Sequence, residues 1–130
     1  MKPVRNNARV VVIVDDEEPF REALASVLKA AGLAVTLFAS AEEFLDLFDL
    51  RSAACLILDV RLPGMSGIEL QRRLHEAGDA VPIIFVTGHG DDRVRELVLK
   101  AGAVAFLTKP VRSGVLLAAI QAAISGVAPG

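Results

Sequence analysis

The chain contains 130 residues, of which 53% are hydrophobic and 23% are charged, and its formal net charge at pH 7 is −2. This length and composition predict one domain with a buried core and exclude a disordered chain. The small and mixed charge gives no indication of direct nucleic-acid binding. One cysteine permits no internal disulfide, and no apolar run reaches the roughly 18 to 20 residues of a membrane helix. We therefore expect a cytoplasmic protein without a membrane segment.

Five short apolar runs alternate along the chain with five segments of helical period. The runs are unbroken stretches of Val, Ile and Leu, which is typical of parallel strands covered on both faces. They span residues 10–14, 33–37, 54–58, 83–86 and 104–107. Four of the helical segments span residues 18–31, 67–77, 91–101 and 113–125. The remaining one, second in chain order, begins at the capping box formed by Ser40 and Glu43. This order predicts a (βα)5 doubly wound α/β fold around a five-stranded parallel sheet.

The predicted domain occupies residues 9–125, with no internal repeat or linker. Residues 1–8 are expected to form an N-terminal tail. Residues 126–130, with the sequence GVAPG, are expected to form a C-terminal tail or the start of a linker.

Polar side chains follow four of the five predicted strands. Asp15 and Asp16 follow the first strand, Asp59 the third, Thr87 the fourth and Lys109 the fifth. Because ligands of such sheets bind beyond the carboxyl ends of the strands, we expect these side chains to share one shallow pocket. An ionised Asp59 at the end of an apolar strand is costly unless a neighbouring group neutralises or uses it.

The chemistry of this pocket points to phosphoryl transfer. Clustered carboxylates raise one another's pKa values unless a cation lies among them, and an open, all-oxygen site suits Mg²⁺. Lys109 supplies a point charge for an anionic oxygen, and Thr87 supplies a hydroxyl. These groups fit the transfer of a phosphoryl group to a carboxylate, with Asp59 as the nucleophile and Asp15 and Asp16 on the metal.

Four motifs carry a family resemblance. In order and spacing, VVIVDDEE, LILDVRLPGMSGIEL, PIIFVTGHGD and AGAVAFLTKP resemble the response-regulator receiver (CheY-like) domain of two-component signalling. The last two motifs look most like the FixJ-like subgroup of transcription factors. The resemblance extends from about Arg9 to about Ile124 and implies a flavodoxin-like sheet with strand order 2-1-3-4-5.

The resemblance also implies roles at the site. Asp59 would accept a phosphoryl group from a phosphohistidine on a sensor histidine kinase. Asp16, Asp59 and the backbone carbonyl of Arg61 would hold Mg²⁺, with Asp15 acting mainly through water. Lys109 would bridge Asp59 to the phosphoryl group.

A second set of implied roles concerns the response to phosphorylation. Thr87 and Phe106 would form a switch pair, although an aromatic residue in a strand is ordinarily part of the core. The peptide bond between Lys109 and Pro110 would be cis. The switch would act on the surface of the fourth helix, the fifth strand and the fifth helix.

The fifth helix contains the run VLLAAIQAAI, which carries no charge. Its predicted inward stripe includes Val115 and Ile124, and the inward stripe of the fourth helix includes Leu97. Leu99 lies off that stripe and adds apolar area at the same edge. Two interpretations explain these side chains equally well. They are ordinary surface residues, or they form a contact face for a second copy or for an output domain.

Several functions remain open. A response regulator that controls transcription would need a DNA-binding output domain, which these 130 residues do not contain, and a stand-alone receiver would act through protein contacts. An aspartyl-phosphate phosphatase of the haloacid-dehalogenase kind is disfavoured, because its nucleophile follows the first strand in an Asp-x-Asp pattern. A flavodoxin-type electron carrier is disfavoured because acids replace the phosphate loop and the chain has no Trp or Tyr.

Overall fold

A computed structural model of the chain describes residues 10–126 and builds them around one parallel sheet. The sheet order is β2-β1-β3-β4-β5, which confirms the predicted fold class and strand order. The strands are β1 (Val10–Val14), β2 (Val35–Phe38), β3 (Ala53–Leu58), β4 (Ile83–Thr87) and β5 (Ala105–Thr108). The predicted tail of residues 1–8 lies outside the described residues, as do residues 127–130.

Five helices connect and follow the strands, close to the predicted positions. They are α1 (Glu18–Ala30), α2 (Ala41–Leu47), α3 (Gly67–Glu76), α4 (Asp92–Lys100) and α5 (Ser113–Ser125). The capping box forms as predicted, since the Ser40 hydroxyl accepts a hydrogen bond from the backbone N–H of Glu43 at 3.1 Å. Gly126 ends α5 in the left-handed conformation at φ +78°, which glycine adopts without steric cost.

Two apolar layers cover the two faces of the sheet. Successive residues of a strand point to opposite faces, so that Val12 and Val14 enter one layer while Val11 and Ile13 enter the other. The first layer is completed by side chains of α2, α3 and α4, among them Phe44, Leu70, Leu74 and Val98. The second is completed by side chains of α1 and α5, among them Leu24, Leu28, Leu116 and Ile120. This double cover explains why the central strands β1 and β3 are apolar throughout.

The predicted inward stripes of α4 and α5 are wrong at three positions. Val115 and Ile124 are 48% and 38% exposed, and Leu97 is 53% exposed. Leu99, also on α4 and expected off the inward stripe, instead packs against the first apolar layer. The helical period could not orient α5 because that helix is apolar nearly all round. Its buried stripe is narrower and consists of Leu116, Ala119, Ile120 and Ala123.

No helix within residues 10–126 is both long enough and apolar enough to cross a membrane.

Candidate functional site

The register of the sheet brings the predicted site residues together at one edge. Val14 at the end of β1 pairs with Leu58 at the end of β3, so the next residues, Asp15 and Asp59, lie side by side. The backbone N–H of Asp59 donates to the carbonyl of Val14 at 3.2 Å. On the other side of β3, Lys109 follows β5 and its backbone N–H donates to the carbonyl at the end of β4, at 2.9 Å.

Asp59 is 4% exposed, and both of its carboxylate oxygens accept hydrogen bonds. Oδ1 accepts from the Thr87 hydroxyl at 2.8 Å and from the backbone N–H of Arg61 at 3.1 Å. Oδ2 accepts from the Lys109 ammonium at 3.1 Å. A hydroxyl, an amide and an ammonium therefore hold this buried carboxylate in one orientation.

The ammonium of Lys109 contacts three carboxylates. Its Nζ lies 2.6 Å from Glu17, 2.9 Å from Asp15 and 3.1 Å from Asp59. It also lies 4.1 Å from the centre of the Phe20 ring, within the range of a cation–π interaction. Burial alone would lower the pKa of Lys109, but its hydrogen bonds to the three carboxylates outweigh burial and raise that pKa. The side chain therefore stays charged.

Asp15 is the most buried acid of the site, with 2% of its surface exposed. Its Oδ1 accepts from the backbone N–H of Glu17 at 2.9 Å, and the Arg21 guanidinium donates to its backbone carbonyl at 2.7 Å. Burial raises the pKa of Asp15, against the opposing effects of the Glu17 amide and of Lys109. The charged form of this carboxylate is thus costly, and a nearby cation lowers that cost.

Asp15, Glu17 and Asp59 form an acidic cluster in which one carboxylate oxygen of each lies within 4.8 Å of the others. Their donor atoms are all oxygens, the ligands that Mg²⁺ prefers, and one ammonium neutralises only part of their charge. The chemistry of the cluster therefore fits a divalent cation.

Two predicted metal ligands lie beside this cluster. Asp16 is exposed and has no hydrogen-bond or ion-pair partner among residues 10–126. Arg61 is exposed and contributes its backbone N–H to Asp59. Glu17 was not predicted as a site residue, although it belongs to the acidic run that follows β1. Nothing in that run of acids indicates which side chain turns toward Lys109.

The predicted switch pair lies in an inward arrangement. Thr87 is fully buried and donates to Asp59, while its hydroxyl accepts from the backbone N–H of His89 at 3.1 Å. Phe106 is 8% exposed, and its ring lies against Gly90. A Cβ at Gly90 would lie 2.7 Å from Cε1 of Phe106 and 3.1 Å from the methyl carbon of Thr87. The ring therefore occupies space that the glycine leaves empty.

The peptide bond between Lys109 and Pro110 is cis, as the resemblance implies. This bond lies directly after β5 and joins the lysine of the site to Pro110.

Comparison with known proteins identifies the family. Residues 11–121 match the family model described as the response regulator receiver domain. The chain belongs to this family. The receiver domain predicted from the four motifs is therefore confirmed, and it is a signalling domain. The match gives no support to a phosphatase or a flavodoxin-type carrier.

Several known proteins are similar to this chain over nearly its whole length. The response regulator protein TodT of Pseudomonas putida is 46% identical over 124 residues, which are 95% of this chain and 55% of TodT. The transcriptional regulatory protein FixJ of Bradyrhizobium diazoefficiens is 40% identical over 119 residues, 92% of this chain and 58% of FixJ. The crystal structure of FixJ-N, 39% identical, has a TM-score of 0.82 and matches 96% of this chain and 100% of that one. The receiver thus spans about half the length of these curated relatives.

Removing the ammonium tests the electrostatics of the site. We expect Lys109→Met to lower the free energy of unfolding at pH 7 by about 3 to 5 kcal/mol, because buried carboxylates lose their counter-ion. The pKa of Lys109 is raised above its ordinary value of 10.5. Its stabilising contribution is therefore complete below that value and is lost as the pH rises through the raised pKa. Urea unfolding across pH measures both effects.

The control is Lys100→Met, which removes an exposed lysine at the end of α4. That variant should stay within about 0.5 kcal/mol of the parent. Equal losses in the two variants would contradict a special role for the Lys109 ammonium.

Proposed function

We propose that this receiver takes a phosphoryl group from the phosphohistidine of a sensor histidine kinase onto Asp59, and that this controls an output. The observation that carries the proposal is the fixed, buried carboxylate of Asp59, held by Thr87, Lys109 and the Arg61 amide. Preorganised donors of this kind stabilise charge as it develops, without reorganisation during the reaction. A cytoplasmic location, where such kinases present their phosphohistidine, belongs to the same proposal.

The transfer exchanges one bond to phosphorus for another. A carboxylate oxygen of Asp59 attacks phosphorus as the bond from the histidine nitrogen breaks, and that nitrogen keeps the electron pair. Lys109 and Thr87, within 3.1 Å of Asp59, donate hydrogen bonds to the transferred oxygens. Attack of water on phosphorus later releases inorganic phosphate and restores Asp59. The domain thus catalyses only its own phosphorylation and dephosphorylation.

Mg²⁺ is the cofactor we propose for this site. Asp16, Asp59 and the Arg61 carbonyl would hold it, with Asp15 acting mainly through water. When bound, Mg²⁺ offsets the negative charge of the carboxylates and of the phosphoryl oxygens. Support comes from the excess of carboxylates over ammonium groups around Lys109 and from the carboxylate of Asp16, which has no partner within residues 10–126.

Mg²⁺ is expected to stabilise the folded state. A ligand that binds only the native state at ten times its Kd adds about 1.4 kcal/mol, which raises the melting temperature. Asp16→Asn should remove most of this gain because it deletes an anionic ligand. Glu17→Gln should keep most of the gain in melting temperature, because Glu17 is not one of the proposed ligands. Melting curves with and without Mg²⁺ measure the gain.

Glu96→Gln, which changes an exposed acid on α4, serves as the control and should respond to Mg²⁺ like the parent. A parent protein whose melting temperature is the same with and without Mg²⁺ would rule out the proposed cofactor.

Asp59 is expected to be the acceptor for a small phosphodonor as well. Incubation with acetyl phosphate and Mg²⁺ should add one phosphoryl group, because the domain itself supplies positioning and charge stabilisation. Asp59→Asn should abolish the mass increase in intact-mass spectra. Asp92→Asn, at an exposed acid of α4, should label like the parent. Equal labelling of Asp59→Asn would identify another acceptor.

The output surface we propose combines α4, β5 and α5. Leu97 on α4 and Val115 and Ile124 on α5 expose apolar area there. Thr87 binds Asp59, and its methyl group and the Phe106 ring both border Gly90, so a phosphoryl group that binds Thr87 would hold both side chains in the inward arrangement. A homodimer through this surface would follow.

We also propose that the regulated output is transcription. TodT is a response regulator protein and FixJ is a transcriptional regulatory protein, and both are about twice as long as the match. DNA binding would then reside in a C-terminal output domain outside these residues. A stand-alone receiver that acts by protein contacts is the alternative.

Self-association should strengthen when Asp59 carries a phosphoryl mimic. Sedimentation of the beryllofluoride-bound protein should show a larger species than the unmodified protein at matched concentration. Thr87→Ala should remove the difference, and Leu97→Ser should weaken the larger species. Leu47→Ser is the matched control, because Leu47 is 73% exposed on α2, away from the proposed surface. Identical association in both states would refute this output route and leave phosphorylation intact.

A further inference from the structure

Glu42 on α2 contacts the loop that follows Asp59, although 23 residues separate it from its partner. Its Oε2 accepts a hydrogen bond from the backbone N–H of Met65 at 2.7 Å. The same carboxylate lies against Gly64, where an added Cβ would be 3.2 Å from the Glu42 Cδ. Gly64 has φ +74°, a conformation that other residues rarely adopt. The turn is thus shaped to receive this carboxylate.

The loop of residues 59–66 is closed at both of its ends. At the first end, the backbone N–H of Arg61 donates to Asp59 at 3.1 Å. At the second end, the backbone N–H of Gly67 donates to the carbonyl of Val60 at 2.9 Å. A Cβ at Gly67 would collide with the backbone carbonyl oxygen of Asp59. Both closures lie within the loop and its flanking residues, whereas Glu42 attaches the second half of the loop, at Gly64 and Met65, to another helix.

The neighbouring acid on α2 has a different partner. Glu43 accepts from the backbone N–H of Ala39 at 3.1 Å and completes the capping box with Ser40. Both acids lie in the first turn of α2, where negative charge is favourable. Glu43 therefore supports the helix alone, and Glu42 also supports the loop.

We propose that Glu42 is a positioning residue for phosphoryl transfer. By holding the Met65 amide, it keeps the shape of the 59–66 loop, in which the Arg61 backbone N–H binds Asp59 and the Arg61 carbonyl would be available to Mg²⁺. This inference rests on the proposed function, since it assigns Glu42 a part in the affinity for Mg²⁺ and in the rate of phosphorylation. Outer groups that orient metal ligands contribute to affinity in this way.

Four variants separate the hydrogen bond from charge and from helix stability. Glu42→Ala loses both the charge and the hydrogen bond. Glu42→Gln keeps an acceptor oxygen at the same reach but has no charge. Glu42→Asp keeps the charge but is one methylene too short. Glu43→Ala removes the neighbouring acid and its cap.

The readouts are the Mg²⁺ dissociation constant by calorimetry and the rate of acetyl phosphate labelling, both on the full chain. For Glu42→Ala and Glu42→Asp we expect the dissociation constant to rise about threefold to tenfold, the range for one lost hydrogen bond. Labelling should slow in both variants. Glu42→Gln should stay near the parent, and Glu43→Ala should lower the melting temperature without changing the dissociation constant.

The outcomes distinguish this inference from the proposed function. A parent protein that neither binds Mg²⁺ nor labels overturns the proposed function itself. A parent that does both, with Glu42→Ala unchanged, overturns only the role of Glu42. Equal weakening by Glu42→Gln and Glu42→Ala would assign the effect to charge, and equal weakening by Glu43→Ala would assign it to helix stability. Either result also overturns the inference.

Discussion

The structure depends on the ammonium of Lys109, which neutralises carboxylates from two other parts of the chain. Asp15 and Asp59 are nearly fully buried, and two buried charges of the same sign at adjacent strand ends would repel each other. Lys109 reaches both of them and Glu17, while the Phe20 ring lies against the same ammonium. Because one cation neutralises only part of the charge of three acids, the site keeps a net negative charge that fits a divalent cation.

The packing of the two apolar layers fixes the distances between the charged groups of the site. The lysine follows β5, whereas its partners follow β1 and β3, and β4 lies between β3 and β5, so the register of four strands decides whether the charges meet. Residues such as Ile13, Ile57 and Ile84 interlock the strands with the helices on one face, and Val14, Leu58 and Phe85 do so on the other. A shift of register by one residue would turn these side chains to the wrong face. Core packing therefore sets the distances within the site.

Much of this arrangement was predictable, because it follows from chain order. The apolar runs located the strands, and Asp59, Thr87 and Lys109 stand at or directly after strand ends, so a parallel sheet brings them together. The orientation of Glu17 was not predictable, since backbone geometry after β1 decides which of several consecutive acids faces Lys109. The outward positions of Val115 and Ile124 were missed because a helix that is apolar nearly all round gives only a weak periodic signal. The contact between Glu42 and Met65 has no signal in a single sequence, because it joins two surface segments that are remote along the chain.

Gly90, beside the Phe106 ring, limits the substitutions that the loop after β4 can accept. The inward position of an aromatic ring here requires a residue without a side chain in the loop after β4, since even one methyl group at Gly90 would overlap the ring. A larger residue at position 90 of this chain would have to move the loop or displace the ring from its inward position. The size of the residue at position 90 therefore limits the positions that the Phe106 ring can take while the loop after β4 keeps this shape.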